Sequence, residues 1–387
     1  MASAPCAIAE TGHTFASTFE SKVESPQAWF KGDFSPTAAS LLPTVSGGPG
    51  SLLPFASLDP DSQRFLAQAT PSAAISTVMG DGPGKNPVRV AAGLHHASTA
   101  AERVRLTIEE AKRLHAFDRK LLVLQGQAGK TVDGVPINAA EFFSHGDVAT
   151  LTVQYSNQSS LVSILEGGTR QGAHTFEALL RGVNEELANR GKKGLSVPRV
   201  VIYGESLGAW TPQDALLNDS EASLFKPGGP HAFDAALFSG TPGFSKLRMD
   251  WLGDGHTGQH GAARQLANRQ ELANAQGLDK ARVFFLNHPD DPVTRVAWNL
   301  LWHKPADWPK RRWWAPGLAF AWEVLKVPFA IKKSLAGSFG DRQHDYSLDL
   351  PAFVRKAYGF DAVSDAQLAR VIQALQGAQV KSTESLP

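Results

Sequence analysis

A serine held between glycines is the first group in this chain that could do chemistry. Gly204-Glu205-Ser206-Leu207-Gly208 follows the β-branched run Arg199-Val200-Val201-Ile202-Tyr203, the G-x-S-x-G pattern of a nucleophile elbow between a strand and a helix. An elbow swings the serine hydroxyl out of the end of a buried strand on a strained turn. Its glycines are needed because a Cβ there collides with neighbouring backbone. Such a serine needs a base, an acid that orients the base, and N–H donors for an oxyanion. Acid and histidine are expected downstream, in that order, on loops at the carboxyl ends of strands. The run Arg282–Asn287 leads into His288-Pro289-Asp290-Asp291-Pro292. Asp291 is the expected acid, since Asp-Pro ends the strand and turns the carboxylate inward; Asp290 is the alternative, and His288 is read as orienting the loop. Past Asp291 only His303 and His344 remain as bases. His344 is preferred, because it sits in a polar loop just before a helix. One oxyanion donor is expected at the backbone N–H of Leu207. The second is expected in the loop Gly126-Gln127-Ala128-Gly129-Lys130-Thr131, at Gln127.

Three other patterns compete for attention. Gly129-Lys130-Thr131 looks like the end of a phosphate-binding loop, but the first glycine of that pattern would fall at Leu124, and Val132–Pro136 reads as a turn, not a helix. Nucleotide binding is therefore not expected. His256 and His260, with Asp250 and Asp254, invite a metal reading. It needs a helix to bring an i, i+4 pair to one ion, and the surrounding glycines argue for a solvated loop. His95-His96 is read as structural.

The elements that must position these groups alternate along the chain. Strands are expected over 88–93, 120–125, 148–155, 199–203, 233–239 and 281–287. Helices are expected over 99–116, 168–190, around 261–276 and 364–376, the last capped by Ser364 and closed by Gly377. Continuous apolar strands alternating with helices imply a mostly parallel, doubly wound α/β sheet covered on both faces. Residues 1–57, rich in Ser, Pro and Gly, read as an irregular extension with turns at Leu41-Leu42-Pro43 and Gly47–Gly50, docked by Trp29, Phe30 and Phe34. Residues 58–387 form the main domain. The segment 292–340 interrupts the pattern with six of the nine tryptophans, at 298, 302, 308, 313, 314 and 322, beside Lys310-Arg311-Arg312. It reads as a helical cap shaping an apolar pocket, as a patch resting on a lipid surface, or as packing of an inserted helical pair. Gly126, Tyr155, Trp298 and Trp302 are the residues expected to contact substrate.

Bulk properties narrow the classes. A formal charge of +1 over 387 residues argues against a nucleic-acid face. The single cysteine, Cys6, makes no disulfide framework or thiolate metal site. No secretory signal and no run of about 18 apolar residues is seen, so a cytoplasmic protein is expected.

With these residues placed, the chain resembles a bacterial family described as an α/β-hydrolase catalytic domain, whose members often carry a separate membrane-spanning N-terminal half. The resemblance runs in order over about 60–360, through Asn86-Pro87-Val88-Arg89-Val90, Ala116-Phe117-Asp118-Arg119, Gly146-Asp147-Val148-Ala149-Thr150, Gln154-Tyr155-Ser156, Tyr203–Gly208, His288–Val293 and His344-Asp345-Tyr346. The last three blocks match the family's nucleophile, acid and histidine positions. Two features depart from it. The family's Gly/Thr-rich loop ending in tryptophan is here Gly126–Thr131, one residue shorter and without the aromatic, and the Ser/Pro/Gly-rich arm stands where the membrane half would be.

The expectation is a serine hydrolase of the esterase/lipase type, with an α/β-hydrolase fold and a Trp-rich helical cap. It would cleave an acyl ester of an apolar small molecule through an acyl-enzyme on Ser206, with no cofactor and no metal. An acyltransferase or cyclase using the same acyl-enzyme is the alternative, and a non-catalytic binding protein on this fold is the third reading.

Overall fold

The computed structural model describes residues 38, 41–80, 82–127, 134–156, 168–252, 262–296, 321–322, 324–326 and 344–384, with side chains to 375. In chain order, helices α1 (Pro60–Ala67) and α2 (Ser72–Met79) precede strand β1 (Val88–Ala92), helix α3 (Ala100–Arg113) and strand β2 (Leu121–Gly126). Helix α4 (Val135–Phe143), β3 (Val148–Val153), α5 (Gly168–Lys192), β4 (Arg199–Glu205) and α6 (Leu207–Leu216) follow. Then come α7 (Glu221–Leu224), β5 (Ala235–Ser239), α8 (Lys246–Leu252), β6 (Ala263–Leu266), α9 (Arg269–Asn274), β7 (Val283–Leu286) and α10 (Pro292–Arg295). The chain closes with α11 (Leu350–Ala357) and α12 (Asp365–Glu384).

The seven strands form one sheet in the order β1-β3-β2-β4-β5-β7-β6, and every pairing is parallel. A parallel sheet is stable only when both faces are dry, and the side-chain alternation delivers that. Leu121, Val123, Val201 and Tyr203 face one layer, with Ile75, Ile137, Phe353 and Val371. Leu122, Leu124, Val200 and Ile202 face the other, with Ile108, Phe176, Leu180 and Ala209. The chain passes β2 on one side to make β3 and returns on the other to make β4. The carboxyl ends of β2 and β4 therefore lie at the reversal of strand order, where open α/β sheets leave a crevice.

Four sequence expectations change. The segment expected to be one helix over 261–276 holds β6 and only the short α9. Ala263-Arg264-Gln265-Leu266 is built of good helix formers, but pairing with β7 overrides that propensity. Helix α12 runs through Gly377 to Glu384; one interior glycine costs a helix only about 1 kcal/mol. A helix does start within the stretch read as a turn, with Pro136 in its first turn where a missing N–H is harmless. Finally, α1 and α2 were not expected; Asp59 caps α1 by accepting from the N–H groups of Asp61 and Ser62 at 3.0 and 3.1 Å.

The segment before α1 packs into the domain. Val45 bridges to Arg89 beside β1, and Val45, Leu53, Phe55 and Leu58 are buried. Trp29, Phe30 and Phe34 lie outside the described residues, as do five of the six tryptophans of 292–340; the sixth, Trp322, is exposed. Among the described residues no helix is long and apolar enough to cross a membrane.

Candidate active site

Ser206 stands between β4 and α6 with φ 54° and ψ −124°, a region that L-residues enter only under strain of about 1–3 kcal/mol. Its N–H donates to the carbonyl of Ser239 at 3.0 Å, so the end of β5 holds the turn in place. The glycines explain how the turn closes. A Cβ on Gly204 would lie 2.1 Å from the Gly208 carbonyl oxygen, and one on Gly126 would lie 2.2 Å from the same atom. Gly126 and Gly204 are register partners across β2 and β4, so both strands must be bare for α6 to begin so close to the sheet. The first N–H groups of α6, beginning at Leu207, have no acceptor within their own helix, and their dipoles favour negative charge in front of them.

Asp291 ends the β7 loop and is fully buried. Pro292 opens α10 behind it, and Asp291 caps that turn by accepting from Val293 N–H at 2.9 Å on Oδ1. Its other oxygen, Oδ2, lies 2.7 Å from His344 Nδ1. With the carboxylate ionised, Nδ1 carries the hydrogen, which leaves Nε2 as the acceptor. His344 is buried and stands against Gly240, where an added Cβ would meet its Cε1 at 2.8 Å. Gly240 directly follows Ser239, the residue that anchors Ser206. The loops after β4 and β7 thus carry Ser206 and Asp291 to one end of the sheet, and His344 joins them there through its bond to Asp291 and its contact with Gly240 of the loop after β5. Asp290, the alternative acid, is exposed, and His303 lies outside the described residues.

Two features of this cluster were missed from the sequence. Tyr346, fully buried, donates from its hydroxyl to Asp291 Oδ2 at 2.5 Å. Burial raises its pKa well above the ordinary tyrosine value, with Asp291 adding to the effect. The signal was its place two residues after the histidine in His344-Asp345-Tyr346. The second feature is a polar network under the acid loop. Asn287 accepts from Thr241 N–H at 2.9 Å and donates to Gln265 Oε1 at 3.0 Å. Arg248 donates to Gln265 Oε1 at 3.1 Å and to the carbonyls of Thr241 and Thr294 at 3.0 and 3.2 Å. Gln213 of α6 donates to Thr241 Oγ1 at 3.2 Å. Burial lowers the Arg248 pKa to about 10, opposed by the nearby Tyr346 and Asp291. Sequence spacing could not have joined residues from four separate elements.

The expected substrate contacts are less complete. Gln127 is buried just past β2, and with Gly126, Tyr155 and Thr211 it lines a cavity of about 10 Å³, the space of a single water. Tyr155 packs its ring on Gly172. Ala128–Thr131, Trp298 and Trp302 lie outside the described residues. The aromatic surface that is described flanks the elbow instead: Trp210, one turn into α6, stacks on Phe244 with centroids 6.1 Å apart. His96 is tied to Gly93 N–H at 3.0 Å and to the Pro54 carbonyl at 3.0 Å, a bridge to the N-terminal segment. His256, His260 and Asp254 lie outside the described residues, whereas Asp250 sits in α8.

No curated protein and no solved structure matches the chain. A family model does match, over residues 88–315, more than half of the chain and a span that includes the elbow and the acid loop. With the seven-stranded parallel sheet and its flanking helices, this match establishes the chain as a member of the alpha/beta-hydrolase family.

Proposed function

We propose that this protein is a serine hydrolase of the esterase/lipase type, acting on an acyl ester of an apolar small molecule. Membership of the family supports a hydrolase-type function in general. The observation that carries the finer reading is the buried Asp291–His344 pair, 2.7 Å apart, beside a serine held on a strained strand-to-helix turn. A buried carboxylate bonded to one imidazole nitrogen fixes the tautomer and makes the other nitrogen a base.

In this reading His344 Nε2 takes the Ser206 hydroxyl proton as Oγ attacks the ester carbonyl. The tetrahedral oxyanion meets the Leu207 N–H and the N-terminal dipole of α6, with Gln127 N–H as the proposed second donor. His344 then returns the proton to the leaving alcohol, and an acyl-enzyme remains on Ser206. Water attacks this ester, gives its proton to His344, and the acid leaves as Ser206 is reprotonated. Asp291 stays ionised and offsets the imidazolium charge at each step. Among the described residues, the stacked Trp210 and Phe244 offer an apolar surface flanking the elbow, which favours an apolar acyl group.

A fluorophosphonate probe tests the nucleophile. Wild-type protein is expected to take up one label, the Ser206→Ala variant none, and short and long p-nitrophenyl esters are expected to be hydrolysed only by the wild type. An unlabelled wild type would sink the serine reading. Labelling without ester turnover would move the assignment to acyl transfer from the same acyl-enzyme.

A further inference from the structure

We propose that Tyr346 is a positioning residue that fixes the Asp291 carboxylate and sets the basicity of His344, an inference that rests on the hydrolase reading above. Asp291 Oδ2 receives two donors, the His344 Nδ1–H at 2.7 Å and the Tyr346 hydroxyl at 2.5 Å, while Oδ1 receives Val293 N–H at 2.9 Å. A carboxylate on a short side chain has one rotational freedom near the end, and three donors from two directions remove it. Tyr346 is itself held on every side. The His288 N–H donates to its oxygen at 3.3 Å, and the His288 ring lies against its own with centroids 4.2 Å apart. The His344 ring meets it edge-on at 5.8 Å, and the bare α-carbon of Gly240 admits both rings. The phenol is therefore a built part of the acid–base pair.

The consequence for proton affinity follows from sharing one oxygen. A donor on Oδ2 draws negative charge from the atom that stabilises the His344 imidazolium, so Tyr346 keeps the base from becoming too strong. Among the described residues, the other charged and titratable groups facing this pair are Arg248 from α8, toward both Asp291 and Tyr346, and Glu205 at the end of β4, toward Tyr346. His288 is paired with Asp349 at 3.0 Å, and Asp345 accepts from Ser347 N–H at 3.0 Å, so both loop carboxylates are engaged. Because burial raises the Tyr346 pKa, the phenol stays a donor across the working range.

The test is the rate of fluorophosphonate labelling of the full chain as a function of pH, for wild type and Tyr346→Phe, with thermal melting alongside. Phenylalanine keeps the ring packing and removes only the hydroxyl. Labelling is expected to slow about tenfold, the scale of part of one charge-assisted hydrogen bond. The midpoint of its rise with pH is expected to move upward by roughly half to one unit, because a more basic His344 must lose its proton at higher pH. An unmoved midpoint overturns the proposal whatever the rate does, since a merely structural tyrosine would lower rate and melting without changing the titration. If Tyr346→Phe does not fold, 3-fluorotyrosine placed at 346 alone keeps the hydroxyl and makes it a stronger donor; the midpoint should then move downward, and no movement overturns the proposal. A wild type that takes no label would overturn the serine reading together with this one, whereas a labelled pair with equal midpoints overturns this one alone.

Discussion

At the scale of single residues, Gly240 is the position where the rings of His344 and Tyr346 both close on a bare α-carbon. Its φ is +55°, and a Cβ would meet both His344 Cε1 and Tyr346 Cε2 at 2.8 Å. Both atoms belong to rings packed from behind, so neither yields without moving the hydrogen bonds to Asp291. Gly240→Ala is therefore expected to cost activity more than stability. Labelling of Ser206 should slow by about 10²-fold, the penalty of misplacing a reacting group by about 1 Å. Apparent stability, read from urea denaturation, should fall by only about 1–2 kcal/mol for the strained φ. Equal labelling rates would show that the two rings have slack. As candidates, Ser206, Asp291 and His344 were legible in the sequence because each has a local mark: a serine between glycines after a strand, an Asp-Pro at a strand end, a histidine in a polar loop before a helix. Gly240 and Tyr346 carry no such local mark. Their importance exists only once three loops meet, which periodicity cannot reveal.

The elements follow the same division between local and distant causes. Central strands were readable because burial on both faces demands an unbroken apolar run, as in Leu121-Leu122-Val123-Leu124. The edge strand β6 was not, because half of it stays partly exposed and its residues favour helix when alone. The docking of the N-terminal segment on α3 was equally hidden. It depends on Glu110, a fully buried carboxylate in what reads as an ordinary charged helix face. Glu110 accepts from Ser51 Oγ at 2.6 Å, Leu52 N–H at 3.0 Å and both guanidinium arms of Arg113 at 2.8 and 2.7 Å. Burial works to raise its pKa, but the bonds from Arg113, Ser51 and Leu52 outweigh it, and the net shift is downward. A carboxylate with a depressed folded pKa stabilises the fold above its unfolded value, about 4.3. That contribution is lost as pH falls through the lower folded value. Glu110→Gln is thus expected to destabilise the protein by about 1–3 kcal/mol at pH 7. The gap should shrink as pH drops below about 4.3. Urea midpoints of the two proteins at pH 7 and pH 3 check this, and a gap that is constant with pH would refute the charge-based account.

Across the whole molecule, the N-terminal helices pack into one apolar layer through Phe65, Leu66, Ile75 and Met79, and a buried ion pair ties them to the edge of the sheet as well. Arg89 of β1 and Glu141 of α4 have no exposed side-chain surface. Their two bonds measure 2.6 and 2.9 Å, and the guanidinium also reaches Asn138 Oδ1 at 2.5 Å and the carbonyl of Phe65 at the far side of α1. Glu141 in turn accepts from Thr70 N–H at 2.9 Å. One pair therefore connects the edge of the sheet to α1, α4 and the link between α1 and α2, on the flank away from β5 and β7. Taking two charges out of water is costly, and their attraction repays it only while both are present. Removing one leaves the other buried alone. Arg89→Met is expected to lower stability by about 3–5 kcal/mol. Adding Glu141→Leu to the same chain should restore much of that loss, because an apolar pair of similar volume carries no desolvation cost. The restoration will not be complete, since Thr70 N–H loses the Glu141 carboxylate and Asn138 Oδ1 keeps only the Thr70 hydroxyl of its two donors. Denaturation of the wild type, both single variants and the double variant gives the cycle. Additive losses would show that the pair acts as two separate tethers and not as one charge-balanced unit. Fluorophosphonate labelling of Ser206 in the folded double variant should match wild type, because the pair sits at the β1 edge and the elbow is carried by β4 and β5.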